Sequence, residues 1–563
     1  MTYAEAWKKE QAERSHYNQV LGDDKASPAA LRAALDEAEA IKKWCLSDGI
    51  RDLKTSGGVA QIYLQRNDIL FDEIGGYARL GDAKRVLDCM TELRDSLTSP
   101  DPWMKENGAS LFSYYGSNIG SNELVKKLLP NPGIEEILRE FKRHDPERVF
   151  RGLPYPKAET AKLTESDRVA GLSMIWSEAK YNFANFDLVP DLDWDASYQH
   201  YLPLVAAARD EYAYYNLLRE FIGLLKDSHT DVGLPSGLRA KVEMRPALPV
   251  LLVEGKVVVY REPTADFKAL GFHLGDVVEK IDGMDAVEYG RAKWGHLASC
   301  STPQDRDQRI YTYMLLRGPA GKAARLETVD AKGERRTIDV PRTDRYLKGV
   351  DLPPSEFRIL PDGTAYFAFN TCANDEPSDS FAKHLPEIQK AGKLIIDCRM
   401  NDGGNGGVGY SILSHLISGE VKVGNWLTHV YRPSFRVWGT KTEPYRGDNT
   451  ISSEAPVFTG PVAVLTSART FSAGEDFVAA FKTSKRGPIV GMPTGGSTGQ
   501  PLSFQLPGGG WARVCTKRDS MGDGTEFVGI GILPDMKIEN RIEAIRNGTD
   551  PVLEAALRSL GSR

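Results

Sequence analysis

Cysteine is scarce in this sequence, and the few cysteines are far apart. The chain has 563 residues and six cysteines, at positions 45, 89, 300, 372, 398 and 515. No Cys-x-x-Cys pair occurs, so nothing indicates a zinc site or a thioredoxin-type motif. A chain of this length does not need disulfides to fold. We therefore expect free thiols, most of them buried.

Long apolar runs and an excess of one charge are also missing. No run approaches the roughly 20 apolar residues of a membrane-spanning helix, so we predict no membrane span. The net charge is −6 with both signs interspersed, which does not indicate nucleic-acid binding. The first ten residues are polar, unlike a secretory signal. We expect a cytoplasmic protein if Met1 is the native start, and a periplasmic or secreted one if a signal was removed.

The composition is that of a globular protein with several domains. Hydrophobic residues make up 41% and charged residues 26% of the chain. The length predicts three or four domains. Periodicity divides the chain into a helical region 1–150, a second helical region 151–240, a β-rich region 241–343, an alternating α/β region 344–545 and a final helix 546–563. For the first region, a docking or oligomerisation role and a plain helical bundle both remain open.

One stretch, residues 461–481, organises the α/β region. Val462 to Leu465 are typical of a buried strand, and a helical pattern begins at Ala473. Ser472 therefore lies where a strand turns into a helix, beside amides that have no intrahelical acceptor. Serine is common at this position as a helix cap, and the same position suits a nucleophile. The stretch alone leaves both interpretations open.

Two further segments carry unusual chemistry. His229 follows a predicted helix within Asp227-Ser-His-Thr-Asp231, where it could act as a base or cap the last carbonyls of the helix. Residues 394–407 are a strand followed by a turn with four glycines in five positions. Such amides can cradle a phosphate or form an oxyanion hole. Neither a Walker motif nor a Rossmann motif is present, which favours the oxyanion hole.

The β-rich region resembles a PDZ domain of the bacterial protease type. The resemblance rests on residues 270–284, with a Gly-x-x-x-Gly-Asp turn, an apolar strand and an Asp-Gly turn, and on Arg317-Gly-Pro-Ala-Gly321. PDZ domains bind extended peptide ends by adding a strand to a sheet edge. By this resemblance we predict that Phe272 contacts substrate.

Taken together, the segments resemble the carboxyl-terminal processing and tricorn-core family of serine peptidases. The order is Asp-Ser-His-Thr, the PDZ-like region, Asp-x-Arg-x-Asn-x-Gly-Gly, Phe-Ser-Ala-x-Glu and Gly529-Ile-Gly-Ile-Leu-Pro-Asp535, spanning residues 160 to 541. The resemblance implies a multidomain protein with a ClpP/crotonase-like α/β catalytic core. It also implies a serine endopeptidase without metal or cofactor, acting on peptides or unfolded proteins and possibly forming a homo-oligomer.

The family has a Ser–Lys design and a Ser–His design. Ser497 stands where the lysine of the first design would be, and Lys482 and Lys485 come too early. The resemblance therefore implies the tricorn-type design, with Ser472 as nucleophile, His229 as base and Ser228 beside it.

The fourth residue of that design is a glutamate, and its column here holds Val528. We predict that Glu526 takes this role, because it stands two residues before Val528 and alternate residues of a strand point to the same face. Glu475 and Asp523 are the alternatives. The resemblance also implies an oxyanion hole from the amides of Gly403 and Ala473, and substrate contacts at Gly404 and Thr494.

Two other functions fit the same fold. One is a binding protein for peptides or hydrophobic ligands, and the other is an esterase or amidase for small molecules. A binding protein has no need of Ser228, His229 and Ser472 together, which favours an enzyme.

Overall fold

The computed structural model describes residues 14–23, 25–45, 58–98, 111, 114–116, 118–120, 122–143, 162–344 and 352–561. The chain forms two compact units, Met1–Pro154 and Tyr155–Arg563. The proline-rich junction predicted at 153–156 lies outside the described residues.

The described elements of the first unit are helices. After a helical segment at 14–22 they are α1 Pro28–Cys45, α2 Gly58–Arg79, α3 Ala83–Leu97, α4 Glu123–Lys126 and α5 Pro132–Arg143. Helix α1 begins at a proline, and Ser27 Oγ accepts from the amide of Ala30 at 3.2 Å. Serine followed by proline is a typical helix start, because serine caps the first turn and proline suits the first helical position.

The second unit opens with helices that lead to the histidine segment. They are α6 Glu165–Asn182, a 3₁₀ turn at Phe186–Leu188, α7 Trp194–Ala206 and α8 Glu211–Gly223. Thr164 and Asp167 cap the start of α6 reciprocally. Leu172, Ile175 and Phe221 are buried in the core between these helices. The chain then reaches residues 226–230, the short strand β1 Asp231–Gly233 and helix α9 Ser236–Val242.

The next region is an antiparallel sheet with short helices. Its strands are β2 Val250–Val253, β3 Lys256–Val259, β4 Val277–Ile281, β5 Met284–Asp285, β6 Ala324–Val329 and β7 Arg335–Val340. The main order is β2-β3-β4-β6-β7. The helices are α10 Ala265–Ala269, α11 Ala286–Trp294, α12 Pro303–Asp307 and a π-helix at Gln308–Met314. The predicted β character of this region is confirmed, while its PDZ-like identity stays a prediction.

The α/β region contains a six-stranded sheet in the order β18-β14-β13-β10-β9-β8. All of its neighbours are parallel except β8 and β9. The strands are β8 Ser355–Ile359, β9 Ala365–Phe369, β10 Leu394–Asp397, β13 Val462–Thr466, β14 Ile489–Gly491 and β18 Met536–Lys537. The sheet is largely parallel, which is what strands that alternate with helices in the sequence favour.

Helices cover both faces of this sheet. One face packs on α13 Glu376–Ala391, α14 Gly406–Ser414 and α16 Ala473–Thr483, and the other on α18 Pro551–Gly561. Residues 411–417 have a helical apolar pattern in the sequence, and helix α14 begins five residues before them, at Gly406. Asn405 Oδ1 accepts from the amide of Gly407 and starts the helix inside the glycine-rich turn.

The strand register brings the two functional loops together. Asp397 at the end of β10 lies opposite Leu465 of the neighbouring parallel strand β13. The glycine-rich turn and the turn before Ser472 therefore leave the same edge of the sheet side by side.

Two small antiparallel sheets complete the unit. One has the order β1-β16-β15 and the other β12-β11-β17. Their remaining strands are β11 Glu420–Thr428, β12 Tyr445–Ser452, β15 Pro501–Gln505, β16 Trp511–Cys515 and β17 Lys517–Met521. Helix α15 Pro433–Val437 lies between β11 and β12, and helix α17 Ile542–Asn547 follows β18. Because β1 follows His229 directly, its pairing with β16 ties the histidine segment to the α/β region.

Five cysteines are described with their side chains, and all five are free thiols. Cys89, Cys372, Cys398 and Cys515 are buried and Cys300 is partly buried, as predicted. Among the helices of the described ranges, none has the length and apolar character needed to cross a bilayer.

Candidate active site

Ser472 lies at a strained turn between β13 and α16. Its φ is +55°, a conformation that side-chain-bearing residues rarely adopt and that the surrounding structure must enforce. The amide of Phe471 donates to the carbonyl of Asn401 at 2.9 Å, and that of Ser472 to the carbonyl of Ser497 at 3.1 Å. Ser472 stands at the N-cap position, and its Oγ lies 2.9 Å from Nε2 of His229.

The imidazole of His229 is held between two serine hydroxyls. Its Nδ1 lies 2.8 Å from Oγ of Ser497, opposite the contact to Ser472. When Nδ1 carries the proton, Nε2 can accept from the Ser472 hydroxyl, which is the tautomer that a general base needs. The ring of Phe471 stacks on the imidazole at 4.7 Å with an interplanar angle of 5°. The ring is therefore fixed in both position and tilt.

Burial sets the protonation state of this histidine. His229 is 4% exposed. Burial, together with smaller contributions from the positive charges of Arg513 and Arg309, lowers its pKa to about 3. Among the described residues, no carboxylate is hydrogen bonded to the ring, unlike in a Ser-His-Asp triad. The imidazole is consequently neutral at neutral pH.

Ser497 is positioned in turn by Glu475, the third residue of α16. Glu475 Oε2 accepts from the Ser497 amide at 2.9 Å, and Oε1 accepts from the Gly496 amide at 2.8 Å and the Thr494 hydroxyl at 2.6 Å. Burial raises the pKa of Glu475 to about 8, against these hydrogen bonds, which lower it. The fully buried carboxyl fixes the loop that carries Ser497.

The structure thus joins Ser472, His229 and Ser497 from three distant segments, beside a glycine-rich turn. Residues 363–538 match the model of peptidase family S41, and residues 172–223 match that of the tricorn protease C1 domain. Most of the α/β core is therefore similar to peptidase family S41.

Curated relatives cover the chain more widely at low identity. The tricorn protease of Thermoplasma volcanium is 22% identical over 488 residues, which are 79% of this chain and 43% of the relative. A putative tricorn protease homolog 2 of Streptomyces coelicolor is 26% identical over 409 residues, 65% of this chain and 30% of the relative. The chain therefore spans less than half the length of these relatives.

A solved structure supports the fold. The crystal structure of mature CPAF superposes with a TM-score of 0.55 at 15% identity, covering 68% of this chain and 94% of that one. At this identity the likeness concerns the fold alone.

Ser228, predicted to support the histidine, faces a different carboxylate from the one expected. Its Oγ donates to Oδ2 of Asp305 at 2.5 Å and accepts from the amide of Ser301 at 2.7 Å. Arg309 Nε donates to the same carboxylate oxygen at 2.7 Å. Asp305 belongs to α12, which lies between β5 and β6 of the antiparallel sheet region, and no sequence pattern pointed to it.

Glu526 and Asp523 lie away from the histidine. The side chain of Glu526 is 50% exposed and lies 3.7 Å from Nε of Arg518. Asp523 is exposed and accepts from the amide of Thr525. Residues 522–530 form turns and irregular backbone with one isolated bridge at Glu526, and not a strand. The rule that alternate residues share a face therefore does not apply to Glu526 and Val528. The structure therefore does not bring Glu526 to Ser228 or His229.

Two predicted substrate contacts are buried. Phe272 is fully buried in the core of the antiparallel sheet, and Thr494 is fully buried between Glu475 and the amide of Ile532. Neither side chain is accessible to a substrate in this structure. Gly404 is exposed, so it stays a candidate.

The glycines of the turn allow a close approach to Ser472. A Cβ on Gly403, whose φ is +100°, would lie 2.6 Å from Cβ of Ser472. The amide of Gly403 donates to Oδ1 of Asn401 at 3.0 Å. Ala473 is the first residue of α16, so its amide has no intrahelical acceptor. The oxyanion hole of Gly403 and Ala473 stays a prediction. To take part in it, the amide of Gly403 would have to give up its hydrogen bond to Asn401 and donate to the substrate oxyanion.

The two lysines lie at the far end of α16. Lys482 Nζ donates to the carbonyl of Leu533 at 2.6 Å. Ten helical residues separate it from Ser472, or about 15 Å along the axis. Within the described part of the chain, no group of three or more metal-ligating side chains is found.

The lowered pKa of His229 predicts a pH-dependent stability. The folded pKa is about 3 and the ordinary value is 6.5, so between them the unfolded chain binds one more proton. The free energy of unfolding should therefore fall as the pH drops from 6.5 towards 3, by up to about 1.4 kcal/mol per pH unit from this group.

Urea unfolding of wild-type protein and His229→Gln at several pH values measures this contribution. The free energy of the variant should fall less steeply below pH 6.5. The raised pKa of Glu475 stabilises the fold as the pH falls from 8, and both proteins keep that contribution. Equal slopes in the two proteins would show that His229 titrates normally.

Proposed function

We propose that this chain is a serine-type peptidase that cleaves peptide bonds through an acyl-enzyme on Ser472. The observation that carries the proposal is the 2.9 Å contact between Ser472 Oγ and His229 Nε2, at a strained turn beside Gly403. The match of residues 363–538 to the model of peptidase family S41 supports the same reaction class.

The geometry supports a two-step acyl transfer. His229 Nε2 takes the proton of Ser472 as the hydroxyl oxygen bonds to the substrate carbonyl carbon. The amide of Ala473, with that of Gly403 once released from Asn401, stabilises the oxyanion. The imidazolium then gives its proton to the leaving amine, and a water molecule activated by the same ring hydrolyses the ester.

Two serines replace the directly bonded aspartate of other designs. Ser497 accepts from Nδ1–H and keeps the base in the correct tautomer, while Glu475 fixes the Ser497 backbone. Ser228 and Asp305 hold the backbone of the histidine segment from the other side. Both carboxyls act through a serine, so they are positioning residues.

Peptide guidance by the PDZ-like region belongs to this proposal as well. Its sheet ends in β2, which pairs on one side with β3 and leaves its other edge without a strand partner among the described residues. An extended peptide can add to such an edge by backbone hydrogen bonds.

The peptidase proposal is tested by substitution of the nucleophile and the base. Ser472→Ala should abolish hydrolysis of peptides, and His229→Ala should lower kcat by several orders of magnitude, as loss of a triad member does elsewhere. Lys482→Ala is the matched control and should keep most activity because of its distance. Hydrolysis is followed with unfolded protein and with short acyl esters.

Three outcomes would contradict the proposal. A lysine variant that is inactive beside an active histidine variant would indicate the Ser–Lys design. Turnover of esters without any turnover of peptides would indicate an esterase. Ligand binding without turnover of either would indicate a binding protein.

The roles of the two serines beside His229 are separable. Ser497→Ala should lower kcat by roughly ten- to a thousandfold with little change in KM, because Nδ1–H loses its acceptor as the ring becomes charged. Ser228→Ala should have a smaller effect on kcat, since Ser228 supports the segment and not the ring. In the pH dependence of kcat, the apparent pKa of the catalytic base should shift more in Ser497→Ala than in Ser228→Ala.

Glu526→Gln serves as the control for the carboxylate that sequence comparison predicts. Its kcat should equal that of wild type, while Asp305→Asn should lower kcat without weakening substrate binding. A damaging Glu526→Gln beside a silent Asp305→Asn would restore the original assignment.

A further inference from the structure

A cavity of about 490 Å³ lies between the antiparallel sheet region and the α/β core. The sheet region contributes Arg245, Tyr260, Arg261 and Tyr313 to its wall, and the core contributes Asp402 and Arg469. None of these residues takes part in the acyl transfer proposed above.

The cavity adjoins the site on two of its loops. Arg469 is three residues before Ser472 in the same turn. Asp402 directly precedes Gly403, whose missing side chain leaves room for Ser472. Both loops that flank Ser472 thus contribute to the cavity wall, so we expect a peptide bound across Ser472 to extend towards it.

The charge of the cavity is unbalanced towards positive. Three arginines line it, together with Asp402 and Glu262. Glu262 is already paired with Lys268 at 2.9 Å. Asp402 lies 4.0 Å from the guanidinium of Arg469, and its side chain is 59% exposed, so the pairing is weak.

The guanidiniums are held in place while keeping donors to spare. Arg245 donates from one amino group to the carbonyl of Thr312 at 2.7 Å. Arg469 lies over the ring of Tyr313 at 5.7 Å, and its buried Nε has no acceptor among the described residues. Burial lowers the pKa of Arg245, which means that its charged form is desolvated in the cavity wall, while the neighbouring hydroxyl groups of Tyr260 and Tyr313 raise that pKa.

A carboxylate is the ligand that this arrangement fits. Guanidinium groups bind carboxylates through two parallel hydrogen bonds, and such bonds strengthen in a partly buried site. A negative charge placed between Arg245 and Arg469 would also offset the cost of desolvating their guanidinium groups.

We infer that this cavity is a substrate subsite that binds a carboxylate of the peptide through Arg245 and Arg469, with Arg261 at its rim. The inference rests on the proposed peptidase function. The carboxylate is either the carboxyl terminus of the peptide or an aspartate or glutamate side chain.

Binding to full-length Ser472→Ala protein tests the subsite without turnover. The probes are peptides of one sequence labelled with a neutral coumarin at the amino terminus. In one pair, one peptide ends in a free carboxyl terminus and the other ends in a carboxamide. A second set, all carboxamides, carries one glutamate or one glutamine at each position in turn.

We expect at least one carboxylate peptide to bind about ten- to a hundredfold more tightly than its neutral twin, as measured by fluorescence anisotropy. The pair that responds identifies the source of the carboxylate. Raising the salt concentration should reduce the preference.

Arg245→Gln and Arg261→Gln, each added to Ser472→Ala, should reduce this preference while neutral peptides bind as before. Both arginines are half-buried, and the second variant shows whether a loss of preference in Arg245→Gln comes from misfolding of that variant alone. Arg325→Gln, an exposed position on β6, is the control and should keep the full preference.

Equal binding of charged and neutral twins, or a preference that persists in both arginine variants, would overturn the inference. Inorganic phosphate that binds the cavity while no carboxylate peptide shows a preference would overturn it too, and would indicate a site for free anions. A preference for carboxylates in a protein without peptidase activity would contradict the proposed function and leave the subsite supported.

Discussion

The neutral imidazole of His229, buried between the hydroxyls of Ser472 and Ser497, is the arrangement on which the rest of the site depends. Burial makes both hydrogen bonds stronger than they would be in water, and it makes the charged form of the ring costly. The proposed chemistry must create that charge briefly in the transition state. The nearby carboxyls, Glu475 and Asp305, each act through one serine and do not touch the ring.

This arrangement requires the fold to bring together segments that are far apart in sequence. The parallel register of β10 and β13 places the glycine-rich turn beside Ser472. The pairing of β1 with β16 holds the histidine segment, where the Thr230 hydroxyl accepts from the amide of Cys515 at 3.0 Å. Residues 299–309 link both sides, because the Thr302 hydroxyl donates to the carbonyl of Gly495 as Asp305 binds Ser228. The antiparallel sheet region is thus connected directly to the site.

The sequence predicted the features whose signals are local. A strand, a serine and a helix follow one another within 20 residues, and the parallel sheet follows from alternating elements. Ser497 and Asp305 were not identified as partners of His229 and Ser228, because only tertiary packing decides which side chains meet. No sequence signal pointed to Asp305. The signal for Ser497 was that, by the family resemblance, it stands where the Ser–Lys design has its lysine. Glu526, Phe272 and Thr494 illustrate the converse, since exposure and facing direction depend on packing that short patterns do not encode.

The most direct test of the account is covalent labelling of wild-type protein with a fluorophosphonate probe, followed by mass spectrometry of the labelled peptide. The account predicts a single adduct on Ser472, formed rapidly in wild-type protein and far more slowly in His229→Ala. An unlabelled wild-type protein, or an adduct on another serine, would contradict the assignment of Ser472 as the nucleophile.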